Sequence, residues 1–295
     1  MATDALSTSA RRLRDAVEPI AAAVYFAPEA HQAYEALGFG GSSGDRDGVQ
    51  LPDGPAYFTS RGACLGKVPG QVVAAAFGVF NPDIVVPLVE MGWQTTTPEA
   101  ILDARLQGSV GQLTRLLGER PEGIERATEL LRRGADAGTE GGHHLFAGLR
   151  SLGWPGDPMG DLWRAADLVR EHRGDSHIAA WCNADLDAVE ISLLTELYWG
   201  IPVKTYTRSR AWSTEQQDAG LDRLRSLGLV DGDAFTDAGL ALREQVEADT
   251  DRQERRVLEA IGDDLDELCD LLEPWGKAIR AGFGYPQSVK TVAGR

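Results

Sequence analysis

The chain has 295 residues, 43% of them hydrophobic and 25% charged, with a formal net charge of -16 and a pI near 4.7. That length holds one large domain or two ordinary ones, with enough apolar side chains for a core. The anionic surface disfavours polyanions, because binding by counterion release needs clustered Lys and Arg. No apolar run approaches the roughly 18 residues of a membrane span, and none follows the charged segment 1–14 as a secretory signal would require. Cys64, Cys182 and Cys269 are odd in number and far apart. They fit no disulfide framework and no close-spaced zinc site, so they read as reduced thiols of a cytoplasmic protein.

Apolar positions at steps of three and four predict a first helix over 9–27, along Leu13, Val17, Ile20, Ala21 and Val24. Pro28 opens a second helix, which Gly38 stops. Residues 40–55 are rich in Gly, Asp and Ser and read as a loop, followed by a short strand or turn at 57–59. Helices follow over 69–79 and 82–91, parted by Asn81-Pro82. Thr97 and Pro98 cap and open a long helix to residue 117. Further helices are predicted over 121–134, 143–152, 159–172 and 178–184, with Gly174 interrupting the last pair. Residues 186–199, 249–262 and 263–281 complete the helical set. The last carries an acidic face from Asp263 to Glu273 that reads as solvated surface.

Residues 213–249 hold the most telling pattern. Ser213 is a good N-cap with Gln216 at capping-box spacing, and Ala219, Leu221, Leu224 and Leu227 form an inner stripe. Gly228 ends that helix. Leu229-Val230 runs out, residues 231–233 turn, Ala234-Phe235-Thr236 returns, and Thr236 also caps the next helix. This order resembles the MarR class of winged helix-turn-helix proteins, whose helix after the wing opens with a Leu-Thr-x-x-Gly-like start. The resemblance covers residues 186–251 and implies a DNA-reading fold. The chemistry argues otherwise. A recognition helix offers Arg, Asn, Gln, Ser and Thr from its first turns, whereas here those turns carry Glu215, Gln216, Gln217, Asp218 and Asp222. Between 186 and 251, thirteen acids face six bases. Lys204, Arg208 and Arg210 are placed to touch phosphates, so DNA is disfavoured as a partner without being removed. A winged fold kept as scaffold or homodimer surface is the plainer reading.

Four of the five histidines lie between 143 and 177, and residues 168–181 form the densest polar cluster. His172 and His177 are candidate acid–base catalysts, with Glu171 or Asp175 to orient them. Arg170 and Arg173 are candidate clamps for an anionic substrate group. His143 and His144, after a glycine-rich joint, are placed to close on the same pocket. Tyr25, His31 and Asn81 are further candidate substrate contacts, because an amide beside Phe77 and Phe80 needs a partner. Tyr25, Phe26, Phe77, Phe80, Trp163, Trp181 and Trp199 are candidates to line an apolar cavity or, more plainly, to fill the core. The simpler alternative for the polar cluster is helix-end capping and internal pairing. No metal-ligand spacing and no nucleotide-binding motif appears, so no cofactor is expected.

Three stretches together, residues 25–30, residues 170–177 and the winged module with Trp212-Ser213, resemble a group of actinobacterial MarR-like proteins to which no reaction is assigned. That resemblance implies a helical fold with a winged element along nearly the whole chain. Gly78 and Val79 stand where bulkier or polar residues are expected. The sequence thus leads to a mainly α, multi-helix protein containing a winged helix-turn-helix element with a small β-hairpin. Its expected organisation is a helical domain over 1–120, a helical and winged domain over 121–285, and a tail over 286–295. The expected function is small-molecule binding, with cofactor-free acid–base catalysis of isomerase, cyclase, lyase or hydrolase type in specialised metabolism. The rival expectation is a ligand-responsive transcriptional regulator.

Overall fold

Local signals in the sequence start most of the helices. The computed structural model describes residues 3–288, and the rest of the expected tail lies outside them. Helix α1 (Thr3–Ala21) tightens into a 3-10 turn over Ala22–Phe26, and α2 (Pro28–Ala36) begins at Pro28. Strands β1 (Ser42–Arg46) and β2 (Val49–Pro52) form an antiparallel hairpin. Asp53 then caps α3 (Gly54–Gly62) by accepting from the Ala56 N–H at 3.1 Å. Helices α4 (Gly70–Phe77), α5 (Pro82–Thr95), α6 (Pro98–Leu117), α7 (Ile124–Ala137) and α8 (His144–Ser151) follow. Asp157 caps α9 (Pro158–Asn183), and Asp187 with Glu190 forms a capping box on α10 (Ala188–Tyr198).

The winged element matches its sequence signals closely. Ser213 and Gln216 make the expected capping box on α11 (Thr214–Ser226). The wing is β3 (Val230–Asp231) paired with β4 (Ala234–Phe235), and Thr236 caps α12 (Asp237–Gln253). Gly239 is required where α12 meets the wing, because a Cβ there would lie 1.9 Å from the Leu229 carbonyl oxygen. Two helices close the fold, α13 (Arg255–Ile261) and α14 (Leu265–Ala281). The acidic face near α14 is a docking surface as well as a solvated one: Arg12 pairs with Asp266 and Asp270, and Arg126 with Asp264 and Glu267.

Three expectations need correction. Residues 42–52 form a hairpin where a loop was expected. Residues 57–59 are helical, because the Asp53 cap and Pro55 start α3 upstream of them. Gly174 does not break α9, which runs unbroken through both expected helices. A helical glycine costs about 1 kcal/mol relative to Ala, and packing along α9 outweighs that. The buried apolar side chains gather into two clusters. One apolar cluster draws on residues from Leu6 to Ile279, and a second, from Ala180 to Val246, belongs to the winged module. α9 enters both, so it is the beam that ties the module to the body.

Candidate functional site

The polar cluster lies in the middle of α9, and its members bind one another and neighbouring helices. Glu171 is shared by two cations: Arg61 Nη2 donates to Oε2 at 2.9 Å and Arg170 Nη1 to Oε1 at 2.6 Å. These guanidiniums hold the carboxyl down to about 2 against the upward push of burial. Arg170 also grips Glu18 (2.9 Å), and Arg173 pairs with Glu247 (3.2 Å) and Asp251 (2.8 Å). The two candidate clamps are thus occupied by carboxylates of this chain. His172 Nδ1 lies 2.7 Å from Glu254 Oε1, and its Nε2 accepts from the Thr139 N–H at 3.3 Å, which puts the proton on Nδ1. His143 stacks on His172 with ring centroids 4.2 Å apart, and its Nε2 lies 2.9 Å from Ser176 Oγ.

Asp175 serves a neighbouring helix. It accepts from the Phe146 N–H at 3.0 Å and so caps α8 from α9, where His143 offers no side-chain cap. Burial raises its carboxyl to about 7. His177 Nδ1 lies 3.1 Å from Thr250 Oγ1, and burial lowers the imidazole to about 4. Seven of the candidate residues therefore meet along one stretch of α9 in separate groups: Arg170 with Glu171, His172 with His143 through Glu254 and Ser176, and Arg173, Asp175 and His177 each with partners of their own. Tyr25 joins the first of these, with the Arg170 guanidinium 5.5 Å from its ring centre. His144 is exposed and stands apart. His31 is buried elsewhere, 3.2 Å from Gln50 Oε1 and 3.1 Å from the Tyr25 carbonyl. Among the described residues no group of three or more His, Cys, Asp or Glu could hold a metal ion.

Asn81 sits at a different and more open place. Its Oδ1 caps α5 through the Asp83 N–H (3.0 Å), while Nδ2 donates to the Ala211 carbonyl (3.0 Å) and to Gln216 Oε1 (3.2 Å). Trp212 Nε1 donates to the Val79 carbonyl at 2.9 Å, and the Asn81 N–H donates to the Arg210 carbonyl at 3.0 Å. These bonds fasten the N-terminal end of α11 to the turn between α4 and α5. Beside this fastening lies a cleft of about 750 Å³, lined by Ala74, Gly78 and Phe80 of the body, Ile178 and Trp181 of α9, and Ala219 of α11, among others. The lining is mostly apolar and the volume suits a small organic molecule. Gly78 shapes its wall: its φ is +68°, and a Cβ would lie 2.9 Å from Ile178 and 3.2 Å from Trp181. Of the aromatics put forward from sequence, Phe80 and Trp181 line the cleft, Trp163 is core, and Trp199 is largely exposed.

α11 presents three faces. Gln217, Gly220, Leu221 and Leu224 are buried, whereas Leu227 of the expected stripe is half exposed because it lies past the helix end. Gln216, Ala219 and Arg223 border the cleft. The remaining exposed face carries Glu215, Asp218 and Asp222. Nearby bases are tied to acids: Lys204 to Asp218, Arg223 to Glu190 at 2.5 Å, and Arg225 to Asp222 at 3.0 Å. Arg208 is the one exposed base of the module without a carboxylate partner among the described residues. Sequence reasoning missed Glu254, Glu18 and Arg61, because each is isolated in its own segment and only helix packing brings it to α9.

A family model described as a helix-turn-helix family matches residues 10–286. No curated protein and no solved structure matches the chain. The match spans body and module alike, as does the beam formed by α9, and the chain belongs to this helix-turn-helix family.

Proposed function

We propose that the chain is a ligand-responsive helix-turn-helix protein of MarR-like type. A small apolar molecule occupies the cleft between body and module, and its presence sets how α11 is held. The observation that carries this reading is the position of the cleft. One wall is the α4–α5 turn, and the other is the helix that stands where a winged-helix protein meets DNA. A ligand there touches both parts at once, so its binding energy is coupled to their docking. In the docked form, part of the outward face of α11 borders the cleft and the rest is acidic. That form is therefore the one that leaves DNA alone. Acid–base catalysis at His172 or His177 has less support, because their described polar contacts are internal.

The test uses the neutral fluorescent probe N-phenyl-1-naphthylamine with the full chain. Saturable binding is expected, and Ala219→Trp, which fills the cleft from an exposed position, should weaken it at least tenfold. Equal affinity in the variant would remove the cleft as the site. For the output, a labelled duplex from the gene's own upstream region is titrated at about 50 mM salt. The wild type should bind it weakly, and Asn81→Ala combined with Trp212→Phe, which unfastens α11, should bind it more tightly. If neither form binds, the regulator reading fails and ligand binding alone is left.

A further inference from the structure

Arg210 precedes α11 by only a few residues and differs from the other arginines of the module. Its guanidinium lies 4.6 Å from the Phe80 ring centre and 4.1 Å from that of Tyr206, and it donates to the Tyr206 hydroxyl. Its Nε is buried without a hydrogen-bond partner, and among the described residues Arg210 makes no ion pair. Its titratable neighbours are the phenols of Tyr57 and Tyr285 and the guanidiniums of Arg61 and Arg170, with no carboxylate among them. Burial and those two cations bring its own titration down to about 10, which leaves it charged at neutral pH.

Contacts join these groups into one crevice. Phe80 packs on Tyr57 with centroids 5.8 Å apart, and the Tyr57 hydroxyl accepts from Arg61 at 3.5 Å. Arg61 and Arg170 meet on Glu171, and Arg170 and the Tyr285 hydroxyl meet on Glu18. Glu171 and Glu18 are thus taken by Arg61 and Arg170, and Arg210 is left with neither. Asp167 is taken by Arg105, and Asp175 is turned to the Phe146 N–H. One positive charge is left over, in a chain whose net charge is -16. Arg61, Arg170, Arg210, Tyr57 and Tyr285 each keep some solvent exposure, so the cluster is not sealed from water. A guanidinium in such a place, with aromatic faces beside it, is matched by a planar anion that accepts from its free N–H groups.

We propose that this crevice receives the anionic end of a small organic acid, its carboxylate held by Arg210 in the positive field of Arg61 and Arg170 and its planar body against Phe80 and Tyr57. This binding ties the loop before α11 to α3 and α9. The site shares Phe80 with the cleft but differs in ligand chemistry, since a neutral molecule in the cleft needs no arginine.

The experiment follows thermal stability of the full chain against benzoate, inorganic phosphate and the neutral analogue benzamide. Benzoate should raise the midpoint saturably and benzamide should not. Arg210→Met should weaken the benzoate response at least tenfold, while Arg210→Lys keeps part of it. Without anion, Arg210→Met should be at least as stable as wild type, because an apolar chain of similar length replaces an unpaired charge on Phe80. Its affinity for N-phenyl-1-naphthylamine should be unchanged, which separates this proposal from the cleft. A response to phosphate with none to benzoate supports the anion site and assigns the group to a phosphate. No saturable response to either anion overturns the proposal. So does an undiminished benzoate response in Arg210→Met, or a variant that is less stable than wild type with benzoate binding absent throughout.

Discussion

Replacing Asp167 by Asn is expected to destabilise the protein by about 3–5 kcal/mol, because it strands a buried cation. Arg105 on α6 is 2% exposed and Asp167 on α9 is fully buried. Arg105 Nη1 donates to Asp167 Oδ2 at 2.7 Å, and Nη2 donates to the Tyr25 hydroxyl at 3.1 Å. Burial alone would lower the arginine, yet the charge of Asp167 and its neighbours keeps it above its ordinary value. Asn offers one neutral acceptor in place of the carboxylate, so the guanidinium stays charged, with the Trp163 ring centre 4.7 Å away, and under-compensated. Arg105→Met should cost a similar amount by leaving Asp167 alone. The double variant Arg105→Met with Asp167→Leu should recover at least about 2 kcal/mol relative to either single change, since apolar replacement of a buried pair is often neutral. Urea melts of the four proteins measure this cycle. Single changes that each cost under about 1 kcal/mol would show the pair to be water-accessible.

The winged module was legible because its start and stop signals are local. Ser213 with Gln216, the glycine at 228 and Thr236 with Gly239 each act within a few residues of themselves, and tertiary context did not override them. The first hairpin was missed for the opposite reason. β1 reads Ser-Ser-Gly-Asp-Arg and has no apolar alternation, so only its turn identifies it. Asp47 and Gly48 both take left-handed φ values, +52° and +81°, which is the Asp-Gly turn signal of a two-residue hairpin. That dipeptide stands in a stretch so rich in Gly, Asp and Ser that the whole of it has the composition of a loop. The α9 cluster was half legible. Its polar density was plain, but its geometry was read as a helix end when it is a helix middle. The sequence could not place Glu18, Arg61 or Glu254 beside it, since those contacts span tens to more than a hundred residues. Arg210 was legible only as a base before α11 placed to touch phosphates, because the shortage of carboxylates around a cation is a property of the packed structure.

His177 should set the upper end of the acid limb of stability. Burial lowers its imidazole from 6.5 to about 4 in the folded chain, with Arg243, Arg173 and Arg14 pressing the same way and Glu247 opposing. Below pH 6.5 the unfolded chain takes up a proton that the folded chain refuses, so stability is present above that value and is lost as pH falls toward 4. Asp175 works with the opposite sign. Its carboxyl is raised from 3.8 to about 7, so the folded chain holds the extra proton and gains stability as pH falls through the same window. The two partly cancel in the wild type, which hides the histidine. His177→Gln removes one of them and keeps a donor for Thr250. Its stability relative to wild type should therefore rise by about 1–3 kcal/mol between pH 7 and pH 4. Below that range both proteins should fall together as Glu171 and Glu247, each held down to about 2 in the folded state, take up protons. Urea midpoints of the pair across this range test the assignment. Parallel curves from pH 7 to pH 4 would mean that His177 titrates alike in the folded and unfolded chains, and that the contact with Thr250 does not exclude its proton.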